Sequence, residues 1–144
     1  MKKASIVLGA MLVLLVGTAV TVVAQEGYSA QDLIGEARRA INTITVGEAK
    51  RLLDSGDYMF IDVREPDEFK MGHIPGAVNI PRGLLEFRIG GQVPGKNAKI
   101  VVYCKSGGRS SLATYTVKVK MGYVNALNMA GGWDAWLKAG YPVE

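Results

Sequence analysis

The apolar positions change period several times along the chain, and each change marks an element. Leu33, Ile34, Ala37 and Ile41 recur at helical spacing behind Ser29 and Asp32, a capping box, so a helical lead-in is predicted over residues 25–42. Thr45 and Glu48 form a second box ahead of Ala49, Leu52 and Leu53, and Gly56 closes that helix. Residues 58–63 are then a short, nearly continuous apolar run, the pattern of a strand buried on both faces, as parallel strands usually are. Residues 77–80 and 99–103 behave in the same way, and 124–129 is a further strand candidate. Helix-length segments separate these runs, at 66–71, 83–89, 110–121 and 133–138. Such alternation predicts an α/β domain with a mainly parallel sheet of about five strands flanked by helices. The segment 114–120 alternates like a strand and is β-branched, but Leu112, Tyr115 and Val119 fit one face of a helix, and helix is the expectation. Residues 90–95, Gly-Gly-Gln-Val-Pro-Gly, read as a loop.

The first residues stand apart from this pattern. Lys2 and Lys3 precede an uncharged run from Ala4 to Val23, and Val22-Val23-Ala24 fits the small-residue rule for signal peptidase, so residues 1–24 are expected to be a signal peptide cut after Ala24. The run is also about the ~20 apolar residues that a membrane span needs, which leaves an uncleaved anchor as the alternative. The domain is expected to be exported, periplasmic or secreted if cleaved, or anchored to the cytoplasmic membrane by residues 4–24 if not. Setting 24 of the 144 residues aside leaves 120, one ordinary domain. The two lysines lost with them take the balance from 17 basic against 13 acidic to 15 against 13, a net +2. No Lys/Arg cluster of the kind used for nucleic acid is present, and nucleic acid is not expected as a partner. The single cysteine, Cys104, excludes an internal disulfide, and an odd thiol in an exported chain is a candidate reactive group.

That cysteine sits where reactive groups are found in open α/β sheets, at the carboxyl end of a strand. The stretch Val101-Val102-Tyr103-Cys104-Lys105-Ser106-Gly107-Gly108-Arg109-Ser110 is an apolar strand running into a small-residue loop that opens a helix. Ser106, Gly107 and Gly108 let the backbone curl so that successive N–H groups point inward, making a concavity for an anion. A thiolate is such an anion. Beside Lys105 and Arg109, Cys104 is expected to be nucleophilic, and two cations bracketing a thiol also suit a dianionic substrate.

Cys-Lys-Ser-Gly-Gly-Arg resembles the six-residue active-site loop of the rhodanese family. Three more segments carry the resemblance: Ile61-Asp62-Val63-Arg64-Glu65-Pro66-Asp67-Glu68-Phe69, then Gly72-His73-Ile74-Pro75-Gly76-Ala77-Val78-Asn79-Ile80-Pro81, and Gly131-Gly132-Trp133-Asp134-Ala135-Trp136. Together they cover roughly residues 43–141, and the resemblance implies a rhodanese-like three-layer domain over residues 43–144. The resemblance implies a sulfurtransferase. Cys104 would attack a small anionic donor such as thiosulfate, hold a persulfide within Lys105, Ser106, Gly107, Gly108 and Arg109, and pass the sulfur to cyanide or a thiol acceptor. It also implies that Asp62 and Arg64 are a supporting ion pair near the site. No metal and no cofactor are called for. His73 in His-Ile-Pro-Gly reads as fixing a turn, Trp133 and Trp136 as core packing, and the Ser106 and Ser110 hydroxyls are explained equally well by capping.

Three other functions share the architecture. Dual-specificity phosphatases and arsenate reductases related to this family place an arginine six positions after the cysteine, whereas Arg109 follows Cys104 by five and the sixth is Ser110. A shorter loop makes a smaller cradle, suited to one sulfur atom. A non-enzymatic binding module would dispense with the cysteine, which is present. An exported sulfur carrier with little turnover remains open.

Overall fold

The computed structural model describes residues 27–144, so the expected signal peptide at 1–24 lies outside the described residues. Helix α1 (Ala30–Ala40) begins at the Ser29/Asp32 box, and α2 (Val46–Ser55) at the Thr45/Glu48 box, each with both reciprocal hydrogen bonds made. Between them lies β1 (Asn42–Ile44), where the apolar pattern gives only the end of one helix and the start of the next. A three-residue strand is too short to show a period; it exists because β5 (Ala126–Met129) offers an open edge, with Asn42 opposite Leu127 and Ile44 opposite Met129. The lead-in is thereby tied into the sheet.

The remaining strands are β2 (Met59–Asp62), β3 (Val78–Asn79) and β4 (Ile100–Tyr103). All five run parallel in the order β1-β5-β4-β2-β3, so β4 is central. Its residues alternate between two cores. Ile100, Val102 and Cys104 face one side, with α4 (Leu85–Gln92) and α5 (Gly108–Tyr115), while Val101 and Tyr103 face the other, with Trp133 and Trp136 of α6 (Gly132–Lys138) and Ala49 of α2. Helix α1 packs outside α5. The short helix α3 (Pro66–Lys70) connects β2 to the turn before β3.

Two local expectations change. Residues 90–92 continue α4 rather than forming a loop: Ile89 and Val93 are both buried and Val93 N–H bonds back to the Ile89 carbonyl, so the core holds the last turn while Gly90 and Gly91 remain exposed. Segment 114–120 is helical, as α5 followed by a π-helical turn (Thr116–Lys120), but its buried face is Ser110, Ala113, Thr114 and Val117. Leu112 and Tyr115 instead line a groove against Leu33 and Ala37 of α1, and Val119 is exposed. Two apolar surfaces flank this helix, and a one-face pattern picks up only one of them.

Candidate active site

Cys104 leaves the end of β4 almost wholly buried, 1% exposed, and the chain turns sharply after it. Gly107 adopts φ of +97°, a conformation open to glycine, and this aims its N–H back at Cys104 Sγ at 3.2 Å. Ser110 N–H reaches the same sulfur at 3.3 Å, and Ser110 Oγ lies 3.5 Å from it. The sulfur therefore sits at the start of α5 with two backbone donors converging on it, the concavity expected of small residues in this loop.

The closing glycine turn explains why the loop carbonyls point away. Trp133 N–H donates to the Cys104 carbonyl at 2.7 Å, and Asp134 N–H to the Lys105 carbonyl at 2.9 Å. Gly132 approaches so closely that a Cβ there would overlap both carbonyl oxygens, and its φ of +55° is left-handed. With its oxygens held by α6, the loop turns its N–H groups toward the sulfur.

The expected loop cations are placed differently. Arg109 extends to Glu68 of α3, with Nη1 to Oε2 at 2.8 Å and Nη2 to Oε1 at 2.9 Å. This pairing holds the Glu68 carboxyl down at about 2, the hydrogen bond from Arg109 outweighing partial burial, and raises the Arg109 guanidinium in turn. Lys105 and Ser106 are exposed, and Lys105 makes no ion pair among the described residues.

Asp62 and Arg64 meet at the end of β2, beside the site. Arg64 Nη2 and Nε donate to Asp62 Oδ2 at 2.6 and 2.9 Å, and Nη2 also donates to the Gly72 carbonyl at 2.8 Å. The guanidinium lies 4.7 Å from the Trp133 ring centre. Burial would lower the Arg64 guanidinium, but the Asp62 carboxylate overrides it and the net shift is upward. Burial also pushes the neighbouring Tyr103 hydroxyl well above its usual range; it accepts from Ile74 N–H at 3.2 Å. His73 stacks on Phe69 with ring centres 3.7 Å apart, its Nδ1 3.1 Å from the Phe69 carbonyl.

Four contacts of the site escape a reading of the residues: Glu68 on Arg109, Asn128 on Ser110, and Thr43 and Arg38 behind them. Only Asn128 carries a local signal, as a carboxamide within an otherwise apolar strand. Among the described residues no cluster of metal ligands is present.

A five-stranded parallel sheet between two helical layers, with a lone cysteine in an amide-lined loop at the end of its central strand, defines a rhodanese-type fold. The chain belongs to the rhodanese-like domain family, whose model matches residues 45–139. A sulfurtransferase of Allochromatium vinosum is 37% identical over 95 residues, covering 66% of this chain and 86% of that protein. The chloroplastic thiosulfate sulfurtransferase 16 of Arabidopsis thaliana is 36% identical over 126 residues, 77% of this chain and 99% of its own. Among solved structures, a protein of unknown function from Rhodopseudomonas palustris, described as a possible tyrosine phosphatase, has a TM-score of 0.75 at 36% identity, covering 83% of this chain and 97% of that one. Homologues of the family support sulfur transfer as the general activity.

Proposed function

We propose that this protein transfers sulfane sulfur through a persulfide on Cys104. The observation that carries the reading is the convergence of Gly107 N–H and Ser110 N–H on a buried Cys104 Sγ. Such donors stabilise negative charge on the sulfur before attack and on the terminal sulfur afterwards. With thiosulfate as donor, Cys104 thiolate attacks the outer sulfur, the donor S–S bond breaks, a new bond forms at Sγ, and sulfite leaves with the electron pair. Cyanide or a thiolate then attacks the terminal sulfur and Cys104 departs as thiolate. Lys105 and Arg109 supply positive charge at the loop for an anionic donor, and Asp62 with Arg64 stiffens the β2 end. The acceptor in the cell is a thiol, and the domain works outside the cytoplasm.

Intact-mass measurement tests this directly. Protein exposed to thiosulfate gains one sulfur, about 32 mass units, and loses it to cyanide or a small thiol, because no second cysteine is present to resolve it. Cys104→Ser gains nothing. Absence of the gain with any sulfane donor overturns the reading, and faster hydrolysis of an aryl phosphate than transfer of sulfur would favour a phosphatase instead.

A further inference from the structure

The side chains behind the loop form a hydrogen-bond chain whose polarity is set by atoms that can play only one part. The Gly107 carbonyl only accepts, and Ser111 Oγ lies 2.6 Å from it, so the Ser111 proton is committed there. Arg38 Nε of α1 only donates, and reaches Ser111 Oγ at 3.2 Å. Ser111 thus has only a lone pair left for Asn128, which turns Asn128 Nδ2 toward it at 3.4 Å, with Thr43 Oγ1 of β1 3.3 Å from the same nitrogen. Asn128 Oδ1 is left facing Ser110 Oγ at 2.8 Å and takes its proton. Ser110, Ser111 and Asn128 are all buried, so neither the amide nor the hydroxyls can turn to solvent instead.

The consequence falls on the sulfur. With its proton held by Asn128, Ser110 Oγ presents a lone pair to Cys104 Sγ. A thiol satisfies that lone pair by donating S–H, whereas a thiolate would face it with another lone pair. Resting on the reading of Cys104 as the reacting sulfur, we propose that Asn128 is a positioning residue that directs the Ser110 hydroxyl away from Cys104 and so holds back its thiolate. The Gly107 and Ser110 N–H groups pull the opposite way, toward the anion. Reactivity is then a balance between two amides and one hydroxyl whose direction Asn128 decides. The charged groups on the loop and the elements packed near it are Lys105 and Arg109 of the loop, Glu68 of α3 and Glu65 at its start acting on Arg109, Asp62 and Arg64 at the end of β2, and Arg38 of α1. None of them reaches Ser110 or Asn128 by hydrogen bond among the described residues.

The pH profile of Cys104 alkylation by iodoacetamide, measured on the whole protein, tests this without any sulfur donor. Asn128→Leu keeps the branching at Cγ and removes the acceptor, freeing the Ser110 hydroxyl to donate to the thiolate; the profile moves down by about one pH unit, tenfold in thiolate at a fixed pH below the midpoint. In a Ser110→Ala background the same change produces no downward shift. Ser110→Ala alone moves the profile down or leaves it in place, because the hydroxyl it removes was not donating to sulfur, and this arm stands even if Asn128→Leu fails to fold. An unmoved or upward profile for folded Asn128→Leu, a downward shift that survives without Ser110, or an upward shift in Ser110→Ala each overturns the proposal. Persulfide formation from thiosulfate, measured alongside by mass, separates the two ideas: shifts without sulfur gain leave the positioning role standing and remove the sulfurtransferase reading, and gain without shifts does the reverse.

Discussion

Arg109 and Glu68, forty-one residues apart, meet as a two-pronged ion pair at the mouth of the cysteine loop, with both guanidinium Nη groups on the two carboxylate oxygens at 2.8 and 2.9 Å. The pair couples the loop to α3, and under the proposed function an anionic donor would compete with this resident carboxylate for the same fork. Arg109→Ala, which removes the fork, is expected to lower kcat/KM for thiosulfate by roughly ten- to a hundredfold, the scale of one charge-assisted contact. Glu68→Gln should lower KM for the dianion, because a competing negative charge is gone, while kcat falls as Arg109 loses its anchor. Steady-state kinetics with thiosulfate and cyanide separate the two effects, and a raised KM in Glu68→Gln would show that the carboxylate aids donor binding.

The same pair makes stability depend on pH in a defined direction. Arg109 holds the folded-state Glu68 carboxyl at about 2, below the ordinary 4.5. Its contribution to stability is fully present above 4.5 and is lost as pH falls from 4.5 toward 2. Thermal melts of wild type and Glu68→Gln should therefore differ at pH 6 and converge across that window. Because the pair is partly exposed, the difference is modest and shrinks in high salt.

Gly132 is the hinge between α6 and the loop carbonyls. Gly132→Ala places a methyl against the carbonyl oxygens of Cys104 and Lys105 in a left-handed backbone, and a cost of about 1–3 kcal/mol is expected. Sulfur transfer should fall further than stability does, since the displaced loop no longer aims Gly107 N–H at the sulfur. Gly140→Ala, also left-handed but with open space around it, controls for backbone strain alone.

Export is a prediction made from Lys2, Lys3, the uncharged run and Val22-Val23-Ala24. Cell fractionation should recover the domain outside the cytoplasmic membrane, with Gln25 as the first residue if the segment is cleaved. Full-length protein in the soluble cytoplasm would contradict it.

Much of the architecture is legible in the chain because it is written locally. Two capping boxes, the left-handed Gly56 and the apolar runs that become β2, β4 and β5 are each decided by neighbours a few residues apart, and the amide-lined loop follows from three small residues after Cys104. What tertiary structure alone decided are the relationships between distant segments. Strand β1 exists because β5 needs a neighbour, and Gly90 and Gly91 are helical because Ile89 and Val93 are buried. Arg109 turns to Glu68 because α3 brings a carboxylate within reach, and the Ser110 proton goes to Asn128 because β1, β5, α1 and α5 converge behind the loop. Propensity and periodicity act over one or two turns of chain, whereas hydrogen-bond direction and ion-pair choice depend on which partners the packed layers deliver, and no spacing in the sequence encodes that.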